Sequence, residues 1–213
     1  MSATVEKKVY EKFTTPKGKA EYPHLIVPVK FDNIENKSKP DPDGDYNVTL
    51  ILPSALLEPN FISKIDKLAE DAFKETVAKA KAEQKDKIEK TLPYSYETGT
   101  GNIKLKFKAK ARSKNKDGVM QDNKIIFYDA KKNKIEPKDI WSGSVLRVNA
   151  TIFDFVSPGL KKGGVSLFIN AVQIIELVSG ANDATAFGFD EEEGYSSSTE
   201  TDVVISEEVN YED

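Results

Sequence analysis

The sharpest pattern in the chain is a strict alternation of apolar and cationic side chains. Ile103, Leu105, Phe107, Ala109 and Ala111 are interleaved with Lys104, Lys106, Lys108, Lys110 and Arg112, and a period of two marks a strand with one buried face. A helix would scatter the same cations around its circumference and leave Leu105 and Phe107 without a common apolar stripe. Strands of ordinary length end after five or six residues, so Lys114 and Lys116 are placed in a hairpin loop closed by Asp117 and Gly118. The expected return strand is residues 123–129.

Four further strands are predicted, at residues 24–31, 46–52, 144–155 and 164–177. In 144–155, Leu146, Val148, Ala150 and Ile152 form one face; Arg147, Asn149, Thr151, Phe153 and Phe155 form the other. In 164–177, Val165, Leu167, Ile169 and Ala171 are expected in the core, with Ser166, Phe168 and Asn170 opposite. The segment VSPGLKKGG between them reads as a hairpin loop carrying Lys161 and Lys162. KSKPDPDGD, before the second strand, is a loop punctuated by proline and Asp-Gly.

Between the second and third strands, Phe61, Ile65, Leu68 and Ala72, with Ile62, Ala69, Phe73 and Val77, recur at helical spacing. Pro59 suits a first helical turn. From Ala78 to Lys90 the pattern turns polar, so a helix over about 59–90 is expected to run on into solvent. One long helix among five or more strands predicts a mainly β protein built on a small closed or half-closed barrel. The expected organisation is an N-terminal extension (1–20), a binding domain (21–181) and a disordered tail (182–213) that buries too little to offset its ordering entropy.

Charge changes this picture. The 213 residues carry 31 basic and 35 acidic side chains, but residues 182–213 hold eleven acids and no Lys or Arg. The body therefore carries +7 and the tail −11, and the two attract. There is no cysteine and a single histidine, His24, which rules out disulfides, thiolate metal sites and histidine clusters. No secretory leader or membrane-length apolar run is present, so the protein is expected to be intracellular.

Walker-type loops and strand-linked GxGxxG are absent, leaving no enzyme signature and no cofactor. The three aspartates of DPDGD fail the calcium-loop pattern, so no metal is expected. Single-stranded nucleic acid needs cations along its phosphates and aromatic faces under its bases. Lys104, Lys106, Lys108, Lys110 and Arg112 recur about 6.6 Å apart on a strand, and alternation turns Phe153, Phe155 and Phe168 away from the core, beside Arg147 and Asn149. Taken alone, a basic strand face is more often simple solvation or edge protection, and outward phenylalanines often pack beneath a helix or a partner subunit. The alternative function is a virion assembly protein docking an acidic partner; a strand-annealing recombinase is a third reading.

The blocks KLKFKAKARSKNKDG, IIFYDAKKNKIEPKDIWSGSVLRVNATIFDF, GGVSLFINAVQIIELV and AFGFDEEEGY follow one another in an order that resembles single-stranded DNA-binding proteins of short-tailed phages, from about Tyr22 to Tyr195. The resemblance implies an OB-type barrel that coats single-stranded DNA in replication, recombination and repair inside the host cytoplasm. It also implies an acidic tail docking the replicative polymerase and helicase-primase, and a homodimer. Lys104, Lys106, Lys108, Arg112 and Arg147 match basic positions of that groove. Where relatives carry basic residues in the SLFINAV block, this chain has Phe168 and Asn170, which shifts the expected groove toward stacking. The tail docking residues implied are Asp190, Glu191, Glu192, Glu193 and an aromatic, Tyr195 or Tyr211.

Overall fold

Five long strands close into a ring around the apolar residues that alternation assigned to the interior. The computed structural model describes residues 10–178 except 116 and 138, all within one compact unit. Along the chain run β1 (Lys12–Thr14), β2 (Gly18–Asp32), β3 (Lys37–Pro40), β4 (Asp45–Pro53), the helix α1 (Asn60–Lys79), β5 (Glu89–Thr91) and β6 (Tyr94–Tyr96). There follow β7 (Asn102–Lys110), β8 (Arg112–Lys114), β9 (Met120–Asp122), β10 (Ile126–Tyr128), β11 (Lys134–Ile135), β12 (Val145–Ser157) and β13 (Lys162–Glu176). The ring order is β2–β4–β7–β13–β12 and back to β2, antiparallel throughout except for the parallel pair β7–β13.

Inside the ring, Leu50, Ile103, Leu105, Phe107, Leu146, Val148, Val165 and Leu167 are buried. Each such side chain contributes about 1.5–3 kcal/mol relative to exposure, so the alternation of β4, β7, β12 and β13 pins their register: a one-residue slip would turn the whole set to solvent. Helix α1 buries Ile62, Ile65, Ala69, Ala72 and Thr76 against β12, β13 and β5. Phe61 stacks on Phe13 of β1 with ring centroids 4.2 Å apart. No helix among the described residues is long and apolar enough to cross a membrane.

Five expectations change. The helix stops at Lys79 rather than near residue 90: Ala80 is extended and 82–87 form a 3-10 turn, because Ala80 and Ile88 are buried and draw the chain back to the barrel. There β5 pairs with the start of β13. Glycine permits that approach, since a Cβ on Gly164 would lie 2.0 Å from the Thr91 carbonyl oxygen and one on Gly163 2.1 Å from Thr76 Oγ1.

The lysine segment does not simply return along 123–129. Arg112–Lys114 breaks away as β8 and pairs with β9, so Lys114 lies in a strand and not in the loop, while Lys116 lies outside the described residues. Instead of returning beside β7, β10 pairs in parallel with β13. Finally, Ala171 faces outward, not into the core. Asn149 pairs with Ala171 but Ala150 with Ile169, leaving Asn170 as an extra residue; this bulge moves the buried set on to Val172 and Ile174. The first strand is also longer than expected, starting at Gly18.

Candidate nucleic-acid interface

Paired residues in a sheet project to the same face, so the register aligns the outward side chains into transverse rows. One row is Lys12–Thr151–Phe168–Lys108–Asn47–His24, crossing β1, β12, β13, β7, β4 and β2. The next is Thr14–Asn149–Ala171–Ile126, and beyond it lies Arg147–Gln173–Tyr128–Lys134. The cationic face of β7 is thus continuous with the aromatic and amide face of β12 and β13.

At the centre, Phe168 meets Phe153 edge to face, with centroids 5.4 Å apart at 81°, and Tyr10 lies 4.8 Å from Phe153. The Lys108 ammonium sits 5.5 Å over the Phe168 ring, a cation–π contact. All three predicted phenylalanines are half-buried. Phe153 and Phe168 come together in this cluster, whereas Phe155 opposes Gly164 at a distance along the strand. Alongside runs a chain of polar contacts: Asn149 Nδ2 donates to Thr14 Oγ1 (2.8 Å), Asn170 Nδ2 to Asn149 Oδ1 (2.9 Å), and Thr151 Oγ1 to Asn170 Oδ1 (3.1 Å).

The five-cation ladder is not uniform. Lys104 Nζ donates to both Glu21 oxygens at 2.8 and 3.0 Å and lies 3.6 Å from Glu97; the Glu21 contact foremost raises its pKa. Lys110 pairs with Asp45 at 3.1 Å. Arg112 is held by Asp122 (2.8 Å) and Asp43 (3.0 Å), which raise its pKa in that order. Lys106 and Lys108 are exposed and have no ion-pair partner among the described residues. The aspartates of DPDGD thus serve the ladder and the turn, where Asp41 Oδ1 accepts from the Asp43 amide at 2.8 Å.

Arg147 is half-buried, and its Nε donates to the Thr15 carbonyl at 3.1 Å. In the β12–β13 turn Lys161 is exposed with φ 54°, whereas Lys162, expected in the same loop, already opens β13 and lies 3.6 Å from Glu89. The tail residues Asp190, Glu191, Glu192, Glu193, Tyr195 and Tyr211 lie outside the described residues.

Sequence reasoning missed Tyr10, Lys12, Tyr128, Lys132, Lys134 and Gln173 on the same face. Period two in residues 125–128 does turn Tyr128 opposite to Phe127, but its membership of this face depends on the parallel β10–β13 pairing, which no local pattern announces.

A family model for the single-stranded DNA-binding protein of bacteriophage T7 matches residues 17–177. Among solved structures, gp2.5, a single-stranded DNA-binding protein encoded by bacteriophage T7, superposes with a TM-score of 0.63 at 24% identity, over 89% of this chain and 100% of that one. This is a likeness of fold. The single-stranded DNA-binding protein of bacteriophage Enc34 matches with a TM-score of 0.48 at 11% identity, both as a C-terminal truncation (79% of this chain, 87% of that one) and in complex with single-stranded DNA (80% and 89%). No curated protein sequence matches significantly.

Proposed function

The chain belongs to the family of the bacteriophage T7 single-stranded DNA-binding protein, and we propose that it binds and protects single-stranded DNA, without sequence preference, during phage DNA replication and recombination. The family is one of DNA-binding proteins and not of enzymes. One observation carries the reading to particular residues: Lys106 and Lys108, without an ion-pair partner among the described residues, adjoin the Phe168–Phe153 ring pair on one outward face. Phosphates would run along the lysines while bases stack on the rings, at about 1–3 kcal/mol per base. Numbered within the ring, the strand order 1–2–3–5–4 and the Greek-key path support an OB-type barrel, whose second and third strands, here β4 and β7, commonly carry the ligand.

Within this proposal Lys110 and Arg112 are reserve cations, since exposed ion pairs are worth little and can exchange a carboxylate for a phosphate, whereas Lys104 stays with Glu21 in a half-buried pair. Lys161 and Lys162 would receive the strand at one end of the face. The tail, with its eleven acids, would compete for the cations when DNA is absent and dock replication proteins when displaced.

The test is competition between oligo-dT and a duplex of equal length, followed by fluorescence of the exposed Trp141. A clear preference for oligo-dT is expected. Equal affinity for both, or for neither, overturns the reading and favours an assembly role for the basic face.

A further inference from the structure

Beyond the bulge at Asn170, on the side away from Lys106 and Lys108, lies a cavity of about 360 Å³, within the size range of small-molecule sites. It exists because of the bulge. Turning Ala171 outward puts a methyl group where neighbouring outward positions carry long side chains, and the gap is walled by Arg147 and Asn149 on one side and Tyr128 on the other. The pairing Arg147–Gln173–Tyr128 sets these three in one row across β12, β13 and β10.

The hydrogen-bond inventory leaves open valences at this cavity. Arg147 uses Nε on the Thr15 carbonyl, so among the described residues its two terminal amino groups remain as donors. Gln173 Nε2 donates to the carbonyls of Asp129 and Ala130 at 3.1 and 3.4 Å, which among the described residues leaves Oε1 as an acceptor. The half-buried Tyr128 ring has no aromatic partner among the described residues. At the mouth, Lys132 adopts φ 71°, a left-handed conformation that glycine or asparagine takes at lower cost. Its turn is locked by Asn133, which donates to both Asp129 oxygens at 2.8 Å, so that carboxylate is already engaged.

We propose that this cavity is a nucleobase subsite: one base of the bound strand leaves the stack, lies against the Tyr128 ring beside the Arg147 guanidinium, and places its phosphate on Lys132. Unstacked bases are held in this way on aromatic and guanidinium planes, and the Arg147 donors beside the Gln173 acceptor match the neighbouring acceptor and donor that base edges present. The subsite rests on the single-strand reading above and extends it. The strand would continue from the Phe168 row to the Gln173 row, two outward steps or roughly 13 Å along the sheet, instead of following β4 and β7 alone.

The experiment compares oligo-dT with an abasic oligodeoxynucleotide of the same length, using the full chain. Its readout is the ratio of the two affinities, which reports base contacts and leaves phosphate contacts out. Ala171→Leu fills the floor of the cavity, Tyr128→Ala removes the ring, and Tyr128→Phe keeps it. The ratio is expected to fall about tenfold for the first two, as for one lost stacking contact, and to stay at the wild-type value for Tyr128→Phe. Ratios unchanged in Ala171→Leu and Tyr128→Ala overturn the subsite, as does an equal loss of both ligands, which would show only a structural role. Wild-type protein that prefers oligo-dT while both variants keep its ratio separates failure of the subsite from failure of single-strand binding itself.

Discussion

Replacing both Lys106 and Lys108 by Met should change the salt dependence of oligo-dT binding in a way that replacing Lys104 does not. Methionine keeps most of the aliphatic stem that such lysines lay along a strand, so the charge is the main loss. Each phosphate neutralised on a single strand contributes about 0.7 to the slope of log affinity against log salt. Lys106 and Lys108 are exposed and free of ion pairs among the described residues, so losing both should flatten the slope by about 1.4. Between about 50 and 200 mM salt the double variant should therefore lose about sevenfold less affinity than the wild type.

Lys104 provides the contrast. Its charge is committed to Glu21 at 2.8 Å and Glu97 at 3.6 Å, so Lys104→Met should leave the slope near the wild-type value. It should instead lower the melting temperature, because two carboxylates lose their cation. The assay is an equilibrium titration repeated across salt concentrations, with a thermal melt for each variant. An unchanged slope in the double variant, or an equal flattening by Lys104→Met, would refute the assignment of free and committed cations.

Phe168→Ala should weaken oligo-dT binding by about 1–3 kcal/mol while the protein stays folded, since the ring is half-buried; Phe107→Ala, in the core at 2% exposure, should cost about 3–5 kcal/mol of stability. Chemical denaturation beside the titration tells the two apart, and a core-sized loss for Phe168→Ala would show that its ring serves packing. Acid should loosen the turn that carries Lys132. Hydrogen bonds from the Asn133 side chain, then its backbone amide, hold the Asp129 pKa below the usual carboxylate range, so the stabilisation is present above that range and is lost as pH falls through the lowered value. Asp129→Asn should remove that part of the acid dependence in a melting-temperature profile. Deleting residues 182–213 should tighten oligo-dT binding most at low salt, where attraction between tail and body is least screened; unchanged affinity would refute competition by the tail.

The outcome for particular segments separates what pattern can specify from what it cannot. Period two assigned the buried face of β7 and most of β12 and β13 without error, because burying Leu105, Phe107, Leu146 and Leu167 outweighs any local preference and a single register satisfies all of them. Charge segregation likewise lies in composition alone. Where the pattern went wrong, the deciding contact was distant in sequence. Helix α1 ends early because β5, just beyond the buried Ile88, pairs with the strand start at Gly163 and Gly164, some seventy residues further on. Ala171 turned outward because a bulge inserts one residue opposite Asn149, which shifts the phase of an alternation that is otherwise unbroken.

The cation ladder shows the same division at the candidate site. The sequence by itself determined that a strand presents five positive groups on one face, since that follows from alternation and charge. Only the tertiary structure decided which of them are free. Glu21, Asp43, Asp45 and Asp122 come from β2, the β3–β4 turn, β4 and β9, and the strand pairing of the fold brings them within 2.8–3.1 Å of Lys104, Lys110 and Arg112. A side chain's charge is a local property, but its availability depends on which strands lie alongside, and those neighbours are set by the path of the whole chain.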